Sequence, residues 1–287
     1  MKVFKTIALL VIFYGVILLS LGMIDNLTGA LQRRSLPADK ITILRNSEPF
    51  AFTLSSPTHP GMNFRLWLPE LAIFNSDSQR GEPELMDTEW VGQENGNVRV
   101  SGIAGDKVHT VRFEFLLSPT DKTTLALTLT VENTGDSAFN DYANLAVCLS
   151  PMDSSFGDQT GFRTFAVNKE GQLRPVRELA EYESFNHYPV DDRADVNDPE
   201  ERCQLANGFV ARTNMEGSNT IAFKWDKSAR VDVNPGGLDC IHSHPAIGPL
   251  NPGESITRHG YIVMGSSSPG EYLLLIRKKF TTGSLFH

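Results

Sequence analysis

Cysteine is scarce. Cys148, Cys203 and Cys240 are the three in 287 residues, and they form no C-x-x-C pair. Zinc-ribbon and thioredoxin-type readings therefore lack their main signature. Positive charge is also short: 26 Lys and Arg stand against 34 Asp and Glu, a formal net charge of −8, with no basic cluster to offset it. A nucleic-acid backbone would be repelled on average, so no nucleic-acid partner is expected. The chain has no G-x-x-x-x-G-K-[ST] loop, no G-x-G-x-x-G loop and no G-x-S-x-G nucleophile elbow. Nucleotide cofactors and serine-hydrolase chemistry lose their usual anchors, and no cofactor is expected. What is present suffices for a sizeable core: 40% hydrophobic residues, with 17 Phe, 6 Tyr and 3 Trp.

Lys2 and Lys5 precede an uncharged apolar run from Thr6 to Ile24. A basic n-region followed by an apolar h-region is the pattern of a secretory signal. Ser20 and Gly22, or Thr28 and Ala30, meet the small-x-small rule for cleavage. The run is also nearly long enough to span a bilayer, so an uncleaved anchor is the alternative, with the membrane as partner. Residues 1–30 are thus expected to be a signal peptide or anchor, and residues 31–287 an exported domain: periplasmic, cell-surface or secreted. In an oxidising compartment Cys203 and Cys240 can pair, leaving Cys148 in an apolar run. The alternative is three free thiols serving as small hydrophobes.

Period-2 alternation dominates residues 41–265. In Lys122–Asn133, Leu125, Leu127, Leu129 and Val131 point one way and Thr128, Thr130 and Glu132 the other. Val108–Leu117 repeats the pattern with Val111, Phe113, Phe115 and Leu117. Further runs are Phe50–Leu54, Asn63–Leu68, Asn97–Ile103, Asn144–Leu149, Gly161–Val167, Phe209–Thr213, Asn219–Trp225 and Ser255–Met264. Such runs between Gly, Pro, Asn and Asp clusters predict about ten to thirteen half-buried strands packed as antiparallel sheets. The fold class expected is all-β, a sandwich, with one C-terminal helix. For that helix Ser268-Pro269-Gly270-Glu271 supplies an N-cap, a proline at the first turn and a capping-box carboxylate, and Arg277, Lys278 and Lys279 suit the negative end of its dipole. Gly171–Asn207 breaks the rhythm and holds Asp191, Asp192, Asp195, Asp198, Glu200 and Glu201 against few bases, but these lack the alternating order and turn glycine of a calcium loop, so a solvated acidic loop is expected.

The densest reactive cluster is Asp239-Cys240-Ile241-His242-Ser243-His244-Pro245. In an extended stretch His242 and His244 share a face, where two imidazoles can act as an acid–base pair. A zinc site needs a third ligand that no spacing indicates, so no metal is assigned. His109, in phase with Val111 and Phe113, reads as a core histidine. Trp225 falls in phase with Ile221 and Phe223 and reads as core, whereas Trp90, in a polar stretch, suits a platform for a sugar ring.

Two segments resemble the sugar mutarotase (aldose 1-epimerase) superfamily. The first is Leu127-Thr128-Leu129-Thr130-Val131-Glu132-Asn133-Thr134-Gly135-Asp136, followed by Asn140-Asp141-Tyr142-Ala143-Asn144-Leu145. The second is Asp239-Cys240-Ile241-His242, then Leu250-Asn251-Pro252-Gly253-Glu254 and a strand containing Tyr261. The resemblance covers about a third of the chain and lies closest to uncharacterised exported bacterial members. It implies an antiparallel β-supersandwich with a sugar-sized concave face and a carbohydrate ligand. His242 and His244 would be catalytic there, with Trp90, Asn140, Tyr142, Asn144, Asp239 and Glu254 contacting substrate, and Asp239 or Glu254 orienting an imidazole. The chain also departs from the family. Asp141 or Tyr142 stands where the family has its mid-chain catalytic His, and His242 where it has its Glu base. Epimerisation or β-elimination by the histidine pair is therefore expected rather than plain mutarotation. A non-catalytic envelope module binding a glycan or a protein is the other reading.

Overall fold

The computed structural model describes residues 39–74, 80–87, 96–106, 108–179, 186–190, 205–234 and 239–282. Among them run sixteen strands: β1 (Thr42–Arg45), β2 (Ala51–Ser55), β3 (Asn63–Ile73), β4 (Arg80–Asp87), β5 (Val98–Gly105), β6 (Thr110–Pro119), β7 (Thr124–Asn133) and β8 (Asn144–Pro151) form the first half. The second half comprises β9 (Thr164–Asn168), β10 (Leu173–Pro175), β11 (Asn186–Pro189), β12 (Leu205–Thr213), β13 (Thr220–Trp225), β14 (Ser228–Val233), β15 (Ile241–Pro245) and β16 (Ser255–Gly265). One α-helix, α1 (Pro269–Thr282), follows.

All ten runs read as strands from alternation overlap one. The remaining six are shorter or less regular, which is why the sequence suggested fewer. Two of them, β10 and β11, fall inside the segment expected to be an acidic loop. Residues 191–204 of that segment lie outside the described residues, as do Trp90, Cys203 and the apolar run at Thr6–Ile24. No helix among the described residues is long and apolar enough to cross a membrane.

The strands join into one antiparallel path, β10-β9-β12-β13-β16-β7-β6-β5-β4-β3-β8-β15-β14-β11, with β2 and β1 added beyond β3. The path doubles back so that β12 lies against β14 and β15, which makes a sandwich of two layers. Period 2 decides what fills it. Val111, Phe113, Phe115 and Leu117 of β6 and Leu125, Leu127, Leu129 and Val131 of β7 face inward from one layer. Phe64, Leu66, Leu145, Val147, Leu149, Val231, Val233 and Ile241 face them from the other. Burying a side chain of this size is worth about 1.5–3 kcal/mol, so the shared core holds the layers together.

Trp225 is fully buried and its Nε1–H donates across the sandwich to the Ser243 carbonyl at 2.9 Å. It is core, as its phase implied. His109 is buried too, with Nδ1 3.1 Å from the Asp106 carboxylate and its ring stacked on Phe74. Helix α1 forms a third layer: Tyr272, Leu273 and Ile276 pack on Phe209, Ala211, Ala222 and Tyr261. Its start is a capping box, in which Ser268 N–H donates to Glu271 Oε2 at 2.7 Å and Glu271 N–H to Ser268 Oγ at 3.3 Å.

Candidate functional site

The layer formed by β3, β8, β15 and β14 uses one set of alternate residues for the core. The other set therefore faces outward, and register alone assembles it. His242 of β15 lies between Asp232 of β14 and Cys148 of β8, and Cys148 in turn faces Trp67 of β3. One pair further along, His244 faces Arg230. An irregularity in β3 between Trp67 and Leu71 carries Pro69 and Glu70 over this row. The residues enclose a pocket of about 200 Å³ lined by Glu70, Arg230, Asp232, Asn234, Cys240, His242 and His244, with Leu71, Ile73 and Ala146 between them.

Both imidazoles are buried, yet each is pinned by different partners. His242 Nε2 lies 3.3 Å from Glu70 Oε2, and its Nδ1 lies 3.3 Å from the Asp232 carbonyl. His244 Nδ1 lies 3.0 Å from Asn144 Oδ1. The Asn144 amide orientation is set by its Nδ2 donating to the Tyr142 carbonyl at 2.7 Å, so Nδ1 of His244 must be the donor. Its Nε2 lies 3.0 Å from Asp232 Oδ2, which also accepts from Arg230 at 2.8 Å, so both ring nitrogens of His244 meet acceptors. The two rings are 5.5 Å apart, centre to centre.

These surroundings drive the rings to opposite protonation states. Burial disfavours the charged form of His242. Hydrogen bonding to Cys240 and Glu70, with the negative fields of Cys240 and Asp232, outweighs it and pushes His242 up to about 10. Burial pulls His244 down to about 4, helped by the positive fields of Arg230 and His242 and opposed by Asp232. The hydrogen bond from His242 holds the Glu70 carboxyl below its ordinary range despite burial. Contact with Cys148 and with His242 brings the Cys240 thiol down to about 6. The two imidazoles are thus pushed in opposite directions, the division of labour that acid–base chemistry uses.

The residues anticipated from sequence are placed as follows. His242, His244 and Asn144 come together in the pocket or against it. Tyr142 contributes its carbonyl to Asn144, and Asn140 Oδ1 accepts from Tyr142 N–H at 2.9 Å in the turn that leads there. Asp239 instead spends its carboxylate on Arg212 Nη1 at 2.7 Å and on the Asp158 N–H at 2.8 Å. Glu254 accepts from Asn251 N–H at 2.8 Å in an exposed turn, next to Ser255. Ser255 lines a larger, open groove of about 440 Å³ on the other layer, which carries the exposed Arg112–Glu132 ion pair. The carboxylates beside the imidazoles are Glu70 and Asp232, which sequence reasoning did not single out. Asp232 was detectable as a polar residue alternating with Val231 and Val233, and Pro69 marked the irregularity that delivers Glu70.

Cys148, Cys240 and His242 form a group of metal-type ligands whose ligand atoms lie within 4.8 Å of one another. Their sulfurs, however, lie 2.7 Å apart. Tetrahedral zinc with thiolate bonds of 2.3 Å holds its sulfurs about 3.8 Å apart, so this arrangement does not fit a shared metal ion.

No family model matches the chain, and no curated protein matches it in sequence. Several solved structures are similar. A galactose mutarotase-like protein from Clostridium acetobutylicum has 10% identity and a TM-score of 0.44, over 80% of this chain and 100% of that one. A candidate aldose 1-epimerase from Escherichia coli K12 has 12% identity and a TM-score of 0.38, again over 80% and 100%. A GH36 α-galactosidase from Geobacillus stearothermophilus has 13% identity and a TM-score of 0.36, with 81% of this chain matched to 30% of that one.

Proposed function

We propose that the protein is an exported carbohydrate-processing β-sandwich, whose pocket takes one sugar residue and performs acid–base chemistry on it, either epimerisation or β-elimination. The observation that carries this reading is two buried imidazoles 5.5 Å apart, each with a carboxylate against its Nε2, inside a polar pocket of about 200 Å³. His244 is the base of the pair, with the charge of Asp232 beside it to stabilise the imidazolium formed. Imidazolium His242, steadied by Glu70, is the acid that protonates the departing or developing oxyanion. Arg230 adds a buried Nε–H with no hydrogen-bond partner among the described residues, a donor free for a hydroxyl or carboxylate of the ligand. Export rests on the basic and apolar character of residues 2–24.

The competing reading is a non-catalytic module that binds a glycan through the same pocket. It is favoured by the intramolecular partners that already hold both rings still. One experiment separates the two. The full chain is screened by thermal shift against neutral sugars and uronic-acid oligomers. A ligand at 100 times its Kd should add about 2.7 kcal/mol, or roughly 2–4 °C. The ligand found is then assayed for turnover. The enzyme reading expects His244→Gln and His242→Gln each to lower turnover by about 10²–10⁴-fold. A ligand bound without turnover, with only affinity changed by the variants, supports the module. Full turnover in the double variant removes the histidines from the chemistry.

A further inference from the structure

Beside the imidazoles lies a pair of thiols that the acid–base reading does not use. Cys148 of β8 faces His242 directly, and Cys240 lies two residues before His242, so the two cysteines are diagonal neighbours on the same face of adjacent antiparallel strands. Both are buried, and Cys240 lines the pocket. Their sulfurs are 2.7 Å apart, nearer the roughly 2.05 Å of a disulfide than the spacing of two thiolates on one metal. The neighbours also differentiate the two groups. A hydrogen bond from Cys148 and contact with His242 lower the Cys240 thiol, while burial raises that of Cys148. One attacking thiolate beside one thiol is the arrangement that thiol–disulfide exchange needs.

We propose that Cys148 and Cys240 are a redox-active pair that closes into a cross-strand disulfide in the wall of the pocket. The co-reactant is a small external disulfide. The Cys240 thiolate attacks one of its sulfurs, forming a mixed disulfide and expelling one thiolate. Cys148 then gives up its proton to that thiolate and attacks Sγ of Cys240, expelling the second. The two cysteines lose two electrons, and the external disulfide is reduced to one thiol and one thiolate. Closure replaces a negative sulfur beside His242 with a neutral one and ties β8 to the segment entering β15. Cys240 is thereby assigned to Cys148 rather than to Cys203, and the bridge suits the oxidising compartment expected of an exported domain.

The test is a thiol count on the native full chain after equilibration with oxidised glutathione, followed by denaturation, maleimide labelling and mass measurement. The expected result is one labelled thiol, Cys203, with a two-hydrogen mass loss and a linked Cys148–Cys240 fragment after proteolysis. Reduction should restore three labels. Oxidation should raise the thermal midpoint of the wild type and leave Cys148→Ser and Cys240→Ser unchanged. If either variant fails to fold, the wild-type count still decides. Three labels after oxidation, a fragment linked through Cys203, or thiols shielded by added zinc with no bridge formed would each overturn the proposal. Sugar turnover plays no part in the readout, so the pocket's chemistry and the bridge stand or fall separately.

Discussion

His242 and His244 are separated by one residue in the same strand, yet their surroundings push one pKa up and the other down. Burial lowers both, and what separates them is how far the surrounding charges oppose it. Glu70 and Cys240 meet His242, while Arg230 faces His244 across the ladder. The difference should be visible as a pH dependence of stability. His242 has a folded pKa raised from 6.5 to about 10, so its contribution is complete below about pH 6.5 and is lost as pH rises through 10. His244 has a folded pKa lowered from 6.5 to about 4. The unfolded chain binds the extra proton between those values, so stability rises with pH across that window. The Glu70 carboxyl is lowered too, and its contribution disappears as the solution is acidified below about 4.5. Urea midpoints measured from pH 4 to 10 should therefore climb to about pH 6.5, stay nearly level to about pH 9 while the lowered Cys240 thiol offsets the raised His242, and decline above that. His242→Gln should flatten the alkaline decline; an unaltered profile in that variant would mean the ring is not held as an imidazolium.

Elements differ in how openly the sequence displays them. Helix α1 is legible to the residue, because its cap is local chemistry between Ser268 and Glu271. Strands such as β6 and β7 are legible because one face is wholly apolar. β14 and β15 are harder to recognise: β15 is buried on both faces, so His242 and His244 alternate with Ile241 and Ser243 without any exposed residue. The glycine of β12 shows what that crowding demands. A Cβ on Gly208 would sit 1.9 Å from Ser228 Oγ and 2.1 Å from Ser228 Cβ, because the two layers touch there. Gly208→Ala should cost about 1–3 kcal/mol through overpacking. Adding Ser228→Gly should recover part of it, measured as a non-additive double-mutant cycle in urea. Purely additive losses would mean that the layers do not meet at this point.

At the scale of the molecule, one ion pair links the sandwich interior to the site. Arg212 is buried in β12 and reaches Asp239, the residue before Cys240, through both its carbonyl at 2.6 Å and its carboxylate at 2.7 Å. Asp239 takes a positive φ of 50° to receive it. The entry to β15 is therefore set from the opposite layer, and the pocket inherits that placement. Arg212→Met should lower stability by about 3–5 kcal/mol, the usual cost of leaving one member of a buried pair alone, and should weaken sugar binding although Arg212 does not line the pocket. Chemical denaturation and the ligand thermal shift read the two effects independently. A variant of wild-type stability would show that the pair contributes nothing net.

The sequence by itself determined the class of fold, the phase of its best strands, the C-terminal helix and the position of the histidine pair. Each of these is written in neighbouring residues: alternation, a capping box, a short reactive motif. Tertiary structure alone decided what surrounds the pair. Glu70 reaches His242 only because β3 departs from regular pairing after Trp67, and Asp232 and Arg230 reach His242 and His244 only because β14 pairs with β15 in one register. Asp239, next to the motif in sequence, is drawn away by Arg212 from a strand in the other layer. Periodicity tells which side of a strand a residue takes, but it carries no information about which strand lies alongside. The charges that tune the site come from those neighbours.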